Sequence, residues 1–303
     1  MADHTESLKA LQKSKDFFVG IDSDGCAFDT MEIKHKECFI PNIVNYWGLQ
    51  GVSKMAREAA EFVNLYSEWR GINRFPALTM ALDLLAERPE AQERGFKRPD
   101  TKALEEWMKR ETALGNPALK AEVAKTGDPV LKRTLDWSLA VNADVTKIVR
   151  DVPPFPFVRE SLQKLQQVAD VLVVSATPYE ALQREWEEHD IAKYTRMICG
   201  QEQGTKKEHL QYCASGKYPA DNILMMGDAL GDMKAAKANN ALFFPINPGD
   251  ETASWKRFFE ESLGVFLAGK YRGAYEDSLV AEFRKYLPST PPWKNGCKGG
   301  CCG

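Results

Sequence analysis

Four stretches of the chain are apolar almost without interruption and end in turn-forming residues: "FFVGI" at 17–21, "VLVV" at 171–174, "NILMM" at 222–226 and "ALFFPI" at 241–246. A strand buried on both faces reads as a continuous apolar run rather than an alternating one, so the pattern predicts a parallel sheet. Helical spacing lies between these runs. Val158, Leu162, Leu165 and Val168 share one face ahead of the second run. "TPYEALQREWEEHD" predicts a helix opened by a capping box, with Thr177 three before Glu180 and Pro178 in the first helical position. "MKAAKANN" predicts a short helix leading into the fourth run. Strand alternating with helix is the doubly wound, Rossmann-like α/β pattern, which places sites at the carboxyl ends of the strands.

The interval between the first two runs has a different period. Val52, Met55, Ala59, Phe62 and Tyr66 share a helical face, and so do Leu104, Trp107, Met108 and Leu114, closed by Gly115. A third helix is expected from Asp128-Pro129 through Leu131, Leu135 and Leu139. The pattern therefore divides the chain into an α/β core over 1–32 and 150–260, split by an all-helical insertion over 33–149. "RDVPPFPF" at 150–157 is the return linker, because consecutive prolines cannot continue a helix. A helical extension is expected over 261–288. A Pro- and Gly-rich tail without fixed structure follows over 289–303, and no internal repeat is visible.

Composition narrows the partners more than the fold. With 303 residues, 44% hydrophobic and 27% charged, the chain can build two globular bodies, and its net charge of −3 offers no footprint for nucleic acid or an anionic membrane. No apolar run approaches a membrane span and the first residues lack a signal-peptide pattern, so a cytoplasmic protein is expected. Cys26, Cys38, Cys199 and Cys213 are scattered singly, as reduced core thiols are. Cys297, Cys301 and Cys302 crowd the tail, where no second cluster gives them a metal to share.

Chemistry enters at the ends of the predicted strands. The first run passes into Asp22-Ser-Asp24, with Asp29 beyond; the second ends at Ser175; the third ends at Gly227-Asp228, with Asp232 four residues on. "GTKKEHL" supplies Lys206 or Lys207 at a helix start. Side by side in a parallel sheet, these ends would gather carboxylates, a hydroxyl and an amine. Clustered carboxylates repel unless a hard cation sits among them, and an all-oxygen donor set suits Mg²⁺. A hydroxyl and an ammonium are what an arriving phosphate would use.

In these motifs, "DSDG", the serine closing "VLVVS", the lysine and "GDALGD", the chain resembles the haloacid dehalogenase superfamily of phosphohydrolases, and in its layout the phosphoglycolate phosphatase and β-phosphoglucomutase type. The resemblance covers 17–32 and about 150–250, and the helical insertion looks like that family's cap domain. It implies a small phosphorylated metabolite as substrate and Mg²⁺ as cofactor. It implies Asp22 as nucleophile, Asp24 as general acid and then base, and Ser175 as a donor to the phosphoryl group. Lys206, directly after the turn "GQEQGT", would neutralise charge, with Lys207 the alternative. The metal would take the Asp22 carboxylate, the Asp24 backbone carbonyl and Asp228, with Asp232 supporting the site. Cys26 stands where the family more often has threonine. An acid at Asp24 favours phosphate-ester chemistry over dehalogenation, as a phosphatase or, alternatively, a phosphomutase; a phospho-ligand-binding protein without turnover is the reading from another class.

Further substrate contacts are expected from Ala176 and Lys207 near the motifs and from Arg70 and Arg74 in "YSEWRGINRF", whose guanidiniums could clamp an anion. The plain alternative for the arginines is a solvated turn between helices. His35 and His209 read as surface or boundary histidines, and Trp107, Trp137 and Trp186 as packing residues. The sequence leaves the oligomeric state open.

Overall fold

A computed structural model describes residues 5–295. Five parallel strands form one sheet: β1 (Phe17–Ile21), β2 (Ala169–Val174), β3 (Met197–Cys199), β4 (Ile223–Gly227) and β5 (Leu242–Pro245), in the order β3-β2-β1-β4-β5. The chain leaves β1 toward β2 on one side and returns to β4 on the other, so the topological switch lies between β1 and β4. Register is continuous there: Ile21 pairs with Met226, and Asp22 N–H donates to the Met226 carbonyl at 3.0 Å.

Strict alternation divides each strand between two cores. Val19, Ile21, Val171, Val173, Leu224 and Met226 face one, filled by helices Val158–Val168, Tyr179–Glu188 and Glu251–Arg257. Phe18, Leu172, Val174, Ile223 and Met225 face the other, filled by Lys206–Cys213, Leu230–Ala238 and Ala274–Tyr286. With both faces covered, the strands read as apolar runs, with Asp170 in β2 the exception.

Two features depart from the expected pattern. The edge strand β3 goes beyond the expected pattern, since its three residues, two of them only half-buried, are too few to carry a readable period. The second strand begins at Ala169 and not 171, because Asp170 sits inside it, fully buried. Its carboxylate accepts from Ser14 N–H and Oγ, Lys15 N–H, the Tyr218 hydroxyl and Arg196, so a charge that reads as loop is tolerated in a strand.

The described residues divide into two compact units, those up to Met31 with Asp151–Leu287, and Glu32–Arg150 with those from Pro288 onward. The helices after β5, as far as Tyr286, belong to the sheet's unit. In the second unit, helices Ser53–Leu65, Arg74–Ala86, Lys102–Arg110, Asn116–Thr126 and Pro129–Ile148 surround their own core, in which Phe75 meets Trp107 and Trp137 edge-on. The tail expected to lack structure is ordered as far as Asn295: Pro292–Asn295 is helical and Trp293 packs on Phe62 in the insertion's core, an apolar anchor among prolines that composition alone conceals. Cys297, Cys301 and Cys302 lie outside the described residues. Cys26, Cys38, Cys199 and Cys213 are buried and unpaired by disulfides. Among the described residues no helix is long and apolar enough to cross a membrane.

Candidate active site

The ends of β1 and β4 bring three carboxylates together. One oxygen each of Asp22, Asp228 and Asp232 lies within 4.8 Å of the others, and all three residues are buried. Asp22 extends β1 by one residue. Its Oδ1 accepts from Ser23 N–H at 2.8 Å, and its Oδ2 lies 2.6 Å from Lys206 Nζ. Asp228 follows the last residue of β4. Asp232, in the first turn of helix Leu230–Ala238, folds back so that its Oδ2 accepts from Ala229 N–H, while its Oδ1 takes the same Lys206 ammonium at 2.6 Å. Of the two adjacent lysines it is Lys206 that bridges the carboxylates; Lys207 is exposed. A capping box, Thr205 with Glu208, fixes the start of helix Lys206–Cys213 and thereby the direction of Lys206.

The charge balance of this cluster has a consequence. Burial pushes the Asp22 carboxyl well above the usual range; Lys206 pulls it down, while Asp232 and Asp228 push it further up. Burial works to lower the Lys206 ammonium, yet the two carboxylates it touches hold it above its ordinary value, so it stays charged. The charges bearing on Asp22 are thus two carboxylates and one ammonium. An oxygen-only, buried, electron-rich donor set short of positive charge fits a hard divalent cation.

Ser175 ends β2, buried, with its N–H donating to the Cys199 carbonyl of β3 at 3.0 Å. Its Oγ accepts from Thr177 N–H at 3.2 Å. Ala176 between them is exposed. Asp24, half-buried, accepts two hydroxyls: Thr30 Oγ1 on Oδ1 at 2.5 Å and Thr177 Oγ1 on Oδ2 at 2.7 Å. Thr177 therefore does not cap the helix that follows. That helix starts at Tyr179 with Pro178 at its N-cap and no side-chain cap bond, and Glu202 instead accepts from Tyr179 N–H at 2.9 Å.

Ser23 ties the loop together. Its carbonyl accepts from the N–H groups of Cys26, Ala27 and Phe28, and its hydroxyl donates to Glu185 and accepts from Trp186 Nε1, each at 2.9 Å. Trp186 packs as expected, but it also donates a hydrogen bond to the loop. The thiol of Cys26 is fully buried, and its carbonyl accepts from Trp255 Nε1 at 2.7 Å. The roles of Thr177, Glu185 and Glu202 are not legible in the sequence, because each acts on a residue far along the chain, and Thr30 reaches Asp24 only because the loop after β1 folds back on itself.

The remaining candidates have other partners. Arg70 and Arg74 are in the helical unit, not solvated as a turn would leave them. Arg70 is buried with Nη1 donating to the Leu65 carbonyl at 2.8 Å. Arg74 donates to the Ser138 carbonyl, Ser138 Oγ and Asn142, and its guanidinium lies 4.8 Å from the Phe39 ring centre; burial lowers it to about 10. His209 and His35, expected near the surface, are buried. His209 sits on the inner face of its helix, where burial pushes the imidazole down to about 4.

Comparison with known proteins points the same way as the motifs. The model of the haloacid dehalogenase-like hydrolase family matches residues 112–245, a span that holds Ser175, Lys206, Asp228 and Asp232 but not Asp22. No curated protein matches the chain. Similar solved structures include a haloacid dehalogenase-like family protein from Streptococcus pneumoniae, at 13% identity and a TM-score of 0.44 over 83% of this chain and 97% of that one. A candidate phosphoglycolate phosphatase from Lactobacillus delbrueckii matches at 17% and 0.45 over 82% and 92%. A Bacillus subtilis protein described as a haloacid dehalogenase-type hydrolase bound to magnesium matches at 13% and 0.42 over 78% and 88%.

Proposed function

We propose, from the motifs and from the haloacid dehalogenase-like hydrolase model that matches residues 112–245, that the protein is a Mg²⁺-dependent phosphohydrolase acting on the phosphate monoester of a small metabolite. The observation that carries the reading is the buried cluster at the switch point, in which Asp22, Asp228 and Asp232 lie together and Asp22 and Asp232 share the single ammonium of Lys206.

Asp22 attacks phosphorus with a carboxylate oxygen. The new O–P bond forms as the ester P–O bond breaks, its electron pair leaving on the alcohol oxygen, which takes a proton from Asp24. In the second half a water oxygen bonds to phosphorus, the Asp22 O–P bond breaks, and Asp24 receives the water's proton. Lys206 stays charged throughout, and Ser175 offers a hydroxyl to the phosphoryl group. Asp22 and Asp228 would hold Mg²⁺, with the Asp24 backbone carbonyl, and Asp232 would hold Lys206 in place. When bound, the cation supplies the positive charge that lets one anion approach another.

The test is release of inorganic phosphate from a panel of phosphate monoesters. Turnover should require Mg²⁺, vanish with a chelator and return when Mg²⁺ is restored. Asp22→Asn should abolish it while leaving the circular dichroism spectrum and melting temperature close to wild type. Phosphate release by Asp22→Asn at the wild-type rate, or turnover indifferent to chelation, would sink the mechanism. Isomerisation of a sugar phosphate without net phosphate release would turn the reading to a phosphomutase.

A further inference from the structure

We infer that Thr177 is a positioning residue for Asp24, holding the carboxyl group that delivers the proton to the leaving oxygen. The inference rests on the proposed reading of Asp24 as acid and base, and adds a residue to it.

Sequence pattern assigns Thr177 to a helix cap, and the structure takes it away from that duty. Its hydroxyl hydrogen goes to Asp24 Oδ2 at 2.7 Å, across 153 positions of chain. The helix loses no capping partner by this, since Glu202 takes the Tyr179 N–H. Three restraints then fix where the hydroxyl points. The Thr177 N–H is tied to Ser175 Oγ, and its carbonyl accepts from Gln201 N–H at 3.0 Å. Gly200 lets the turn after β3 press against this loop: a Cβ there would stand 2.8 Å from the Thr177 carbonyl oxygen and 2.7 Å from the Tyr179 nitrogen. Finally, a β-branched side chain on a fixed backbone has few staggered positions to choose from. Thr177 is thus a stiff arm anchored on β2, β3 and the turn at 201, reaching Asp24 on the loop after β1.

The need for such an arm is physical. The carboxylate of Asp24 can turn about its Cβ–Cγ bond, a broad torsion with little barrier of its own. Proton delivery requires one oxygen within hydrogen-bond reach of the leaving atom, and a small misplacement costs rate steeply. Thr30 holds Oδ1 from the loop's own side, and Thr177 holds Oδ2 from the β2 side. Removing Thr177's hydroxyl takes away the restraint on Oδ2 from the β2 side.

A positioning role in proton transfer predicts a loss that depends on how much the leaving group needs the proton. The measurement is kcat/KM, which reports the first phosphoryl transfer, with the full-length protein and Mg²⁺ on aryl phosphates graded from dinitrophenyl to phenyl phosphate. Thr177→Val should lose less than about twofold on dinitrophenyl phosphate, whose leaving group departs unaided, and about tenfold or more on phenyl phosphate. Thr177→Ser keeps the hydroxyl and should follow the wild-type slope. A loss equal across the series, or none, overturns the inference, because a residue that merely holds the loop would slow every substrate alike. Asp24→Asn, run in parallel, separates the two ideas. If it turns over phenyl phosphate like wild type, Asp24 is not the acid and both fall. If it shows the leaving-group dependence and Thr177→Val does not, the inference alone falls.

Discussion

Gly227 marks how closely the site is built at the scale of single residues. It ends β4, and a Cβ at this position would overlap the carboxyl of Asp232, which lies against it while accepting from Ala229 and Lys206. The absence of a side chain is what lets Asp232 fold back under the cluster. Gly227→Ala should displace Asp232, release Lys206 from one partner and lower phosphate-releasing activity by about tenfold or more, with a modest effect on the thermal midpoint. An alanine variant with wild-type kinetics would mean that Asp232 has room elsewhere. At this scale the placement of Asp22 and Asp228 was legible, because an acid directly after a buried strand lies at a strand end whatever the rest of the chain does, whereas the choice of Lys206 over Lys207 needed the start of its helix to be fixed in space. Thr177 was not legible. Its local sequence satisfied a capping box, and the competing acceptor, Asp24, is distant in sequence but fixed in space by the pairing of β1 with β2. His209 is buried, against its surface expectation, for a related reason: on a short helix of mixed composition, nothing local says which face the sheet will cover.

At the scale of elements, the same limit explains Asp170 and β3. Apolar runs revealed β1, β4 and β5 because both sheet faces are covered, but β2 was shortened in the reading by an acid that only its partners make tolerable. Those partners come from Ser14, Lys15, Arg196 and Tyr218, and together they hold the Asp170 carboxyl far below the usual range, the Ser14 and Tyr218 hydrogen bonds and Arg196 outweighing the opposing effect of burial. Asp170→Asn keeps the shape but removes the charge that Arg196 and Tyr218 face, and a broken buried pair typically costs about 3 kcal/mol or more. Because Arg196 is partly exposed, water offsets some of that, and a loss of about 2 kcal/mol is expected at neutral pH. The pH dependence has a definite sign. A carboxyl with a depressed folded-state pKa stabilises the fold in full above its unfolded value, near about 4, and that contribution is lost as pH falls below it. Urea unfolding of wild type and Asp170→Asn should therefore differ most at pH 7, with the gap shrinking progressively as pH falls below about 4 and closing only in strong acid, below the depressed folded-state value. A difference that persisted unchanged in acid would show that the carboxylate's charge is not what stabilises the strand.

For the whole molecule, the connection between the chain's two compact units is made by sequence order rather than by composition. The chain leaves the sheet's unit after Met31, returns at Asp151, completes its helices at Leu287, and then contributes its last described residues to the helical unit. That final step was invisible in the sequence, where prolines and glycines outweigh a single tryptophan. Trp293 supplies the anchor: its ring meets Phe62 edge-on at 5.7 Å, and the Arg88 guanidinium lies 4.9 Å from its centre. Lys294 adds an exposed pair with Glu87, which contributes little. An aromatic contact of this kind is worth about 0.5–1.5 kcal/mol beyond the area it buries, so Trp293→Ala should destabilise the helical unit by about 2 kcal/mol. Because the two units have separate cores, the loss should be local. Amide exchange should quicken in helices Ser53–Leu65 and Arg74–Ala86, which carry Phe62 and the residues preceding Arg88, while the amides of β1, β2 and β4 keep their protection. Equal acceleration in the sheet would mean that the two cores unfold as one, and unchanged exchange in both would mean that the anchored segment contributes nothing to the unit it joins.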